Sequence, residues 1–151
     1  MKSYQINFNE FGREPEDLLK NQVTAVENVL KSGWFILGKK VKEFEDIWAN
    51  TIQTSNCVGV ANGLDAIEIG LISLGIGAGD EVITTSLTAF ATSLAILKAG
   101  AKPVFADIDA STGCIDIDSI ENLINSKTKA LIAVHIYGRS CEISKLQKLC
   151  V

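Results

Sequence analysis

The chain has 151 residues, 47% hydrophobic and 21% charged, which is enough for a folded core and excludes the disordered and collagen-like classes. The net charge of −4, with no basic cluster beyond Lys39-Lys40, argues against a nucleic-acid partner. No run reaches the roughly 18 apolar residues of a membrane span, and the N-terminus lacks the apolar stretch of a signal peptide. We therefore expect a cytoplasmic protein that binds neither nucleic acid nor membrane.

Residues 1–50 predict an N-terminal helical arm. Pro15 suits the first turn of a helix over 15–31, and Gly33 is typical of a helix end. A second helix is predicted over 39–50, because its apolar residues form one stripe, namely Val41, Phe44, Ile47 and Trp48. The Gly-flanked segment 32–38 between the helices contains two large aromatic residues, which either pack on a core or line a pocket.

From residue 51 onward the pattern alternates between strand and helix. Strands are predicted at 56–60, 81–85, 103–106 and 130–135, and helices at 64–74, 88–99, 119–124 and 144–150. Repeated βα units of this length predict a three-layer α/β fold with a mostly parallel sheet. Because binding sites in such sheets lie at the carboxyl ends of strands, the segments 62–63, 84–86 and 135–138 are expected to converge on one crevice.

The turn at Asn62-Gly63 is the clearest candidate for a binding site. It joins a strand-like run to a helical pattern, so free backbone N–H groups at the helix N-terminus favour an anion such as phosphate. Gly63 would allow a ligand to approach the backbone closely. The alternative is a capped helix without a ligand, in which Asn62 is the N-cap and Asp65 reaches back to it.

Other chemistries find little support in the sequence. The four cysteines are scattered without a C-x-x-C pair, and His135 does not complete a familiar zinc set, so no metal site is predicted. Buried reduced thiols explain the cysteines better than a Cys–His nucleophile pair, which no motif supports. Gly75-x-Gly77-x-Gly79 follows a helix and precedes a strand, which is the reverse of a dinucleotide-binding fingerprint.

One family matches several stretches in the same order. They are GWFILG at 33–38, VANGLDA at 60–66, LGIGAGDEVI at 74–83, LTAFAT at 87–92, AGAKPVFAD at 99–107 and VHIYG at 134–138. Together they resemble the N-terminal part of the DegT/DnrJ/EryC1/StrS aminotransferases, over about residue 10 to 151. These are pyridoxal-phosphate enzymes that mostly aminate nucleotide-linked keto-sugars. The resemblance implies that residues 51–151 are part of the large domain of the aspartate aminotransferase (type I) fold.

The resemblance also implies roles for particular residues. The backbone amides of Gly63 and Leu64 would bind the phosphate of pyridoxal 5'-phosphate. Ala89 occupies the position where relatives often place an aromatic ring against the cofactor, and alanine cannot stack; Phe90 would face about 100° away on a helix. His135 and Tyr137 match a segment near the active site, and a structural role is favoured for His135.

The most consequential departure from the family is an absence. The aspartate that pairs with the pyridine nitrogen and the lysine that holds the cofactor have no counterpart here, and all twelve lysines lie outside a matching context. We therefore assign no catalytic residue and expect an inactive fragment of an aminotransferase that uses a keto-sugar nucleotide, glutamate as donor and a homodimeric assembly. The alternatives are a non-catalytic phosphate-binding or assembly domain, or a dehydratase-type relative with histidine in place of the lysine.

Overall fold

The computed structural model describes residues 7–150, so the first six residues of the predicted arm and Val151 lie outside the described residues. The chain divides into two compact units, Met1–Gly59 and Val60–Val151. The division into an arm over 1–50 and a partial cofactor-binding domain over 51–151 stays a prediction.

The first unit contains a short 3₁₀ turn at Phe11–Arg13 and two helices, α1 (Glu16–Ser32) and α2 (Lys39–Thr51). Both predicted helices are confirmed to within one or two residues. Gly33 ends α1 in the left-handed conformation, with φ of 66°, as expected for a helix C-terminus. No residue of α1 is buried in the part of the chain that the structure describes, and most of its apolar side chains are exposed, whereas Val29 is half-buried.

A tight turn precedes α2. The indole N–H of Trp34 donates to the carbonyl of Ile36 at 2.8 Å. Gly38, the N-cap of α2, lies so close to this turn that a Cβ built on it would be 2.9 Å from the carbonyl oxygen of Trp34. Any other residue at this position would therefore force the start of α2 to move.

The second unit contains the sheet. Its strands are β1 (Glu81–Thr85), β2 (Lys102–Ala106) and β3 (Thr128–Ile132), and its helices are α3 (Gly63–Ser73), α4 (Phe90–Lys98), α5 (Ile117–Glu121) and α6 (Ile143–Leu149). The strands are parallel in the order β2-β1-β3, with β1 in the middle. This confirms the predicted α/β class with a parallel sheet.

The core explains why the fold has three layers. Because side chains alternate along a strand, Val82 and Ile83 of β1 point to opposite faces, and both are fully buried. Val82 packs with residues of the α3 and α4 side, including Leu71 and Ile96. Ile83 packs with residues of the α5 and α6 side, including Ile120 and Leu146.

The strand predicted at 56–60 is wrong, because these residues do not form a strand. A strand requires a neighbour that accepts and donates its backbone hydrogen bonds, and none of the described strands pairs with this segment. Instead, the backbone N–H of Gly59 donates to the side-chain Oε1 of Glu45 at 2.8 Å. The apolar residues Val58 and Val60 remain exposed.

Several predicted boundaries differ from the structure by one to three residues. Helix α4 begins at Phe90 rather than Thr88, because Ala89 has extended backbone angles and is the N-cap. Strand β3 ends at Ile132 rather than His135, which matches the end of its pairing with Thr84 of β1. Helix α5 covers Ile117–Glu121, so it begins two residues and ends three residues earlier than predicted. Among the described residues, no helix is both long and apolar enough to cross a membrane.

Candidate functional site

The N-terminus of α3 is organised by its cap. Asn62 is extended, and its side-chain oxygen accepts the backbone N–H of Asp65 at 2.9 Å. The side-chain amide of Asn62 donates in return to the Asp65 carboxylate at 3.1 Å. The predicted N-cap is thus confirmed, with one difference: Asp65 contacts the side-chain amide of Asn62 rather than its backbone N–H.

The cap leaves two donors at the helix start. The backbone N–H groups of Gly63 and Leu64 have no acceptor among the described residues, because Asn62 satisfies only the third position of the helix. Gly63 is exposed, and a Cβ built on it would meet no atom within 4 Å. The arrangement can therefore receive an anion directly on the backbone.

Charges close to this helix end partly cancel. The Nζ atom of Lys98, in the last turn of α4, lies 2.5 Å from the Glu68 carboxylate and 3.9 Å from that of Asp65. The hydrogen bond that Lys98 donates to Glu68, together with the charges of both carboxylates, raises the pKa of Lys98. The lysine joins α4 to α3 and offsets the negative charge that Asp65 would present to an anion.

Ala89 lies between β1 and α4. It is exposed and stands as the N-cap of α4, without a side chain that could cap the helix. Because Ala89 is exposed, a larger side chain at this position would not be buried in the core. The next residue, Phe90, is 74% exposed. The expected 100° turn between these two residues does not apply, because Ala89 is outside the helix.

His135 and Tyr137 lie in the segment that follows β3. The Nδ1 atom of His135 accepts the backbone N–H of Cys141 at 3.0 Å, so the imidazole contacts the backbone and not a thiol. This contact agrees with a structural role for His135. Tyr137 is 88% exposed and has a φ of 51°, a conformation that non-glycine residues rarely adopt.

The loops after the three strands meet at Gly113. A Cβ on Gly113 would lie 3.5 Å from Ile136, which follows β3, and 3.8 Å from Leu87, which follows β1; Gly113 itself follows β2. The structure thus brings together the carboxyl ends of all three strands. Sequence reasoning missed Gly113 as the meeting point, since its only local signal is the Ser-Thr-Gly turn pattern. Convergence of the Asn62-Gly63 turn on the same place stays a prediction.

No group of three or more His, Cys, Asp or Glu residues within residues 7–150 is arranged to hold a metal ion. The candidate anion site is formed by the backbone amides at the start of α3.

Comparison with protein families matches residues 16–151 to the DegT/DnrJ/EryC1/StrS aminotransferase family. A dTDP-3-amino-3,6-dideoxy-alpha-D-galactopyranose transaminase of Aneurinibacillus thermoaerophilus is 46% identical over 122 residues, which are 81% of this chain and 34% of the relative. A dTDP-3-amino-3,4,6-trideoxy-alpha-D-glucose transaminase of Micromonospora megalomicea is 41% identical over 140 residues, which are 93% of this chain and 36% of the relative.

Solved structures are also similar to this chain. NtdA from Bacillus subtilis with bound cofactor PMP has a TM-score of 0.91 at 30% identity, over 99% of this chain and 35% of that one. Spr1654 from Streptococcus pneumoniae in its PMP form has a TM-score of 0.83 at 36% identity, over 86% of this chain and 33% of its own. The chain is therefore similar to about a third of each of these proteins.

Proposed function

Because the chain belongs to the DegT/DnrJ/EryC1/StrS aminotransferase family, we propose that it forms the N-terminal part of an enzyme that aminates a nucleotide-linked keto-sugar. The observation that carries this proposal is the match to dTDP-sugar transaminases, at 41–46% identity over most of the chain. The cofactor in this proposal is pyridoxal 5'-phosphate, which neighbouring structures contain in its PMP form.

The described residues suit the phosphate end of this cofactor. The two free amides of Gly63 and Leu64 lie at the positive end of the α3 dipole. The open space beside Gly63 leaves room for a phosphate to reach them. In this proposal Asn62 fixes the helix start, and Ala89 lies beside the cofactor ring without stacking on it.

Pyridoxal phosphate, when bound, supplies an electron sink and carries the amino group between donor and acceptor. The residues of this chain bind and orient it, and none of them is assigned to proton transfer. We propose glutamate as the amino donor. The lysine and the aspartate that such chemistry requires would come from outside the 151 residues, so the chain alone is proposed to be inactive.

We also propose a cytoplasmic homodimer for the whole protein. The four cysteines are all free, which is typical of proteins in a reducing compartment. The apolar residues of α1 that the first unit leaves exposed, including Val23, Val26 and Leu30, offer a surface that a second subunit would cover.

The function is tested with the complete gene product. Purified with pyridoxal phosphate, it should convert a dTDP- or UDP-linked keto-sugar to the amino-sugar in the presence of glutamate, as measured by mass spectrometry of the nucleotide product. Omitting glutamate is the control. Loss of a hydroxyl group instead of amination would indicate the dehydratase-type alternative, and cofactor binding without turnover would indicate the non-catalytic one.

Inactivity of the isolated chain has its own test. The 151-residue chain is treated with borohydride in the presence of pyridoxal phosphate, and its peptides are mapped by mass spectrometry. We expect no lysine to be labelled stoichiometrically. One fully labelled lysine would show that the chain carries its own cofactor lysine, contrary to the proposal.

A further inference from the structure

Two cysteines of the second unit are buried in the same part of the core. Cys114 belongs to the loop after β2, and Cys141 precedes α6 in the segment after β3. Both are only 5% exposed and belong to the same apolar cluster. Residues far apart in the sequence thus place two thiols in one pocket of the core.

Hydrogen bonds hold both thiols against the same short segment. The Sγ atom of Cys141 donates to the carbonyl of Val134 at 3.1 Å. The Sγ atom of Cys114 lies 3.7 Å from the carbonyl oxygen of Arg139, only two residues before Cys141. Both sulfurs are therefore held against residues 134–139, which lie just before Cys141 in the sequence.

Burial, and then the neighbouring thiol of Cys114, raise the pKa of Cys141. Because the thiolate is the reactive form, the raised pKa slows the reaction of the Cys141 thiol at neutral pH. Cys57, which is half-buried, and Cys150, which is exposed, are more accessible and do not belong to this buried cluster.

We propose that Cys114 and Cys141 are a modification site, at which a peroxide oxidant forms a reversible intramolecular disulfide. One thiol loses its proton, and its thiolate attacks an oxygen of hydrogen peroxide. The O–O bond breaks, a sulfenic acid forms, and the departing hydroxide takes up the proton to give water. The second thiol attacks the sulfenic sulfur, the S–O bond breaks, and a second water leaves with the proton. The two thiols lose two electrons, and the peroxide is reduced to two waters.

The disulfide would join two of the loops at the carboxyl ends of the strands. Cys114 follows Gly113, against which Ile136 and Leu87 pack. Closing the bond therefore ties the loop after β2 to the segment that contains the exposed Tyr137. A dithiol reductant reverses the reaction by thiol–disulfide exchange.

The experiment uses the folded 151-residue chain at low concentration, treated with hydrogen peroxide and then with an alkylating reagent. The four cysteines lie on four different tryptic peptides, so mass spectrometry identifies any linked pair. We expect a linked species of peptides 99–127 and 140–145, two hydrogens lighter than their sum, which disappears after treatment with dithiothreitol.

Matched variants complete the test. A Cys57→Ser, Cys150→Ser double variant should form the same link to the same extent, since it retains Cys114 and Cys141. Cys114→Ser should leave Cys141 unlinked, and circular dichroism checks that this variant is folded. The proposal is wrong if wild-type Cys114 and Cys141 are recovered separately alkylated, or if the link forms only in urea, or if another pairing dominates.

Discussion

The start of α3 allows a sharp test of the phosphate site through Gly63→Val. A Cβ at Gly63 meets no atom within 4 Å, so the substitution introduces no clash and changes the free energy of unfolding by at most about 1 kcal/mol. The larger side chain would, however, fill the space in front of the free amides. A phosphate kept away from one of them loses a charge-assisted hydrogen bond.

The expected loss of affinity is the contribution of this hydrogen bond to phosphate binding. Hydrogen bonds to charged groups contribute roughly 1.5–3 kcal/mol, which corresponds to about a 10- to 150-fold weaker Kd. Isothermal titration of pyridoxal phosphate into the complete protein, with inorganic phosphate as a second ligand, measures this change. The effect should be present for both ligands, because both would use the same amides.

Gly70→Val provides the matched control. Gly70 is in the same helix, and a Cβ on it also meets no atom within 4 Å. It lies seven residues from Gly63, about 10 Å along the helix axis, so ligand binding should not change. Wild-type affinity in a folded Gly63→Val protein would refute the phosphate role. An equal loss in both variants would attribute the effect to the helix itself.

Three further predictions concern neighbouring features. Asn62→Ala removes the side-chain acceptor for Asp65 and should lower the free energy of unfolding by about 1 kcal/mol in urea titrations, whereas Asn62→Ser should retain most of it. Ala89→Tyr should leave the melting temperature of the cofactor-free protein nearly unchanged, because Ala89 is exposed; if the cofactor ring lies beside it, affinity should rise by about two- to tenfold. Hydrogen bonds from Asn125 and then Lys102 lower the pKa of Glu81 below its ordinary 4.5. Its contribution to stability should therefore be complete above that ordinary value and be lost as pH falls through the lowered pKa. Urea titrations from pH 7 to pH 3 should show a weaker pH dependence in Glu81→Gln, and an unchanged slope would contradict the assignment.

Local patterns predicted the elements whose formation depends on local interactions. Helix α1 stops at Gly33 because glycine readily adopts the left-handed conformation. The side chain of Asn62 caps α3. The strand Glu81–Thr85 is a short run between turns. The segment 56–60 has a strand-like composition, but a strand also depends on a partner, which its own residues do not encode. For the same reason the end of β3 was predicted too late. Apolar residues continue beyond Ile132, but the pairing with β1 ends there.

In the candidate site, too, features that depend on local sequence were predicted and features that depend on distant contacts were not. The free amides at Gly63 are a local consequence of a helix start and were predicted from the turn alone. The contact of Gly113 with Leu87 and Ile136 depends on three loops that are distant in the sequence. The adjacency of Cys114 and Cys141 likewise arises only after the sheet has formed, so scattered cysteines gave no sign of a pair.

The central position of β1 has a consequence for amide hydrogen exchange. Strand β1 is paired along both sides, to β2 and to β3, whereas within residues 7–150 each outer strand is paired along one side. Its amides can exchange with deuterium only when the whole second unit opens, while the outer amides of β2 and β3 exchange from the closed state. The slowest exchange in β1 therefore reports the opening free energy of the sheet, independently of any ligand.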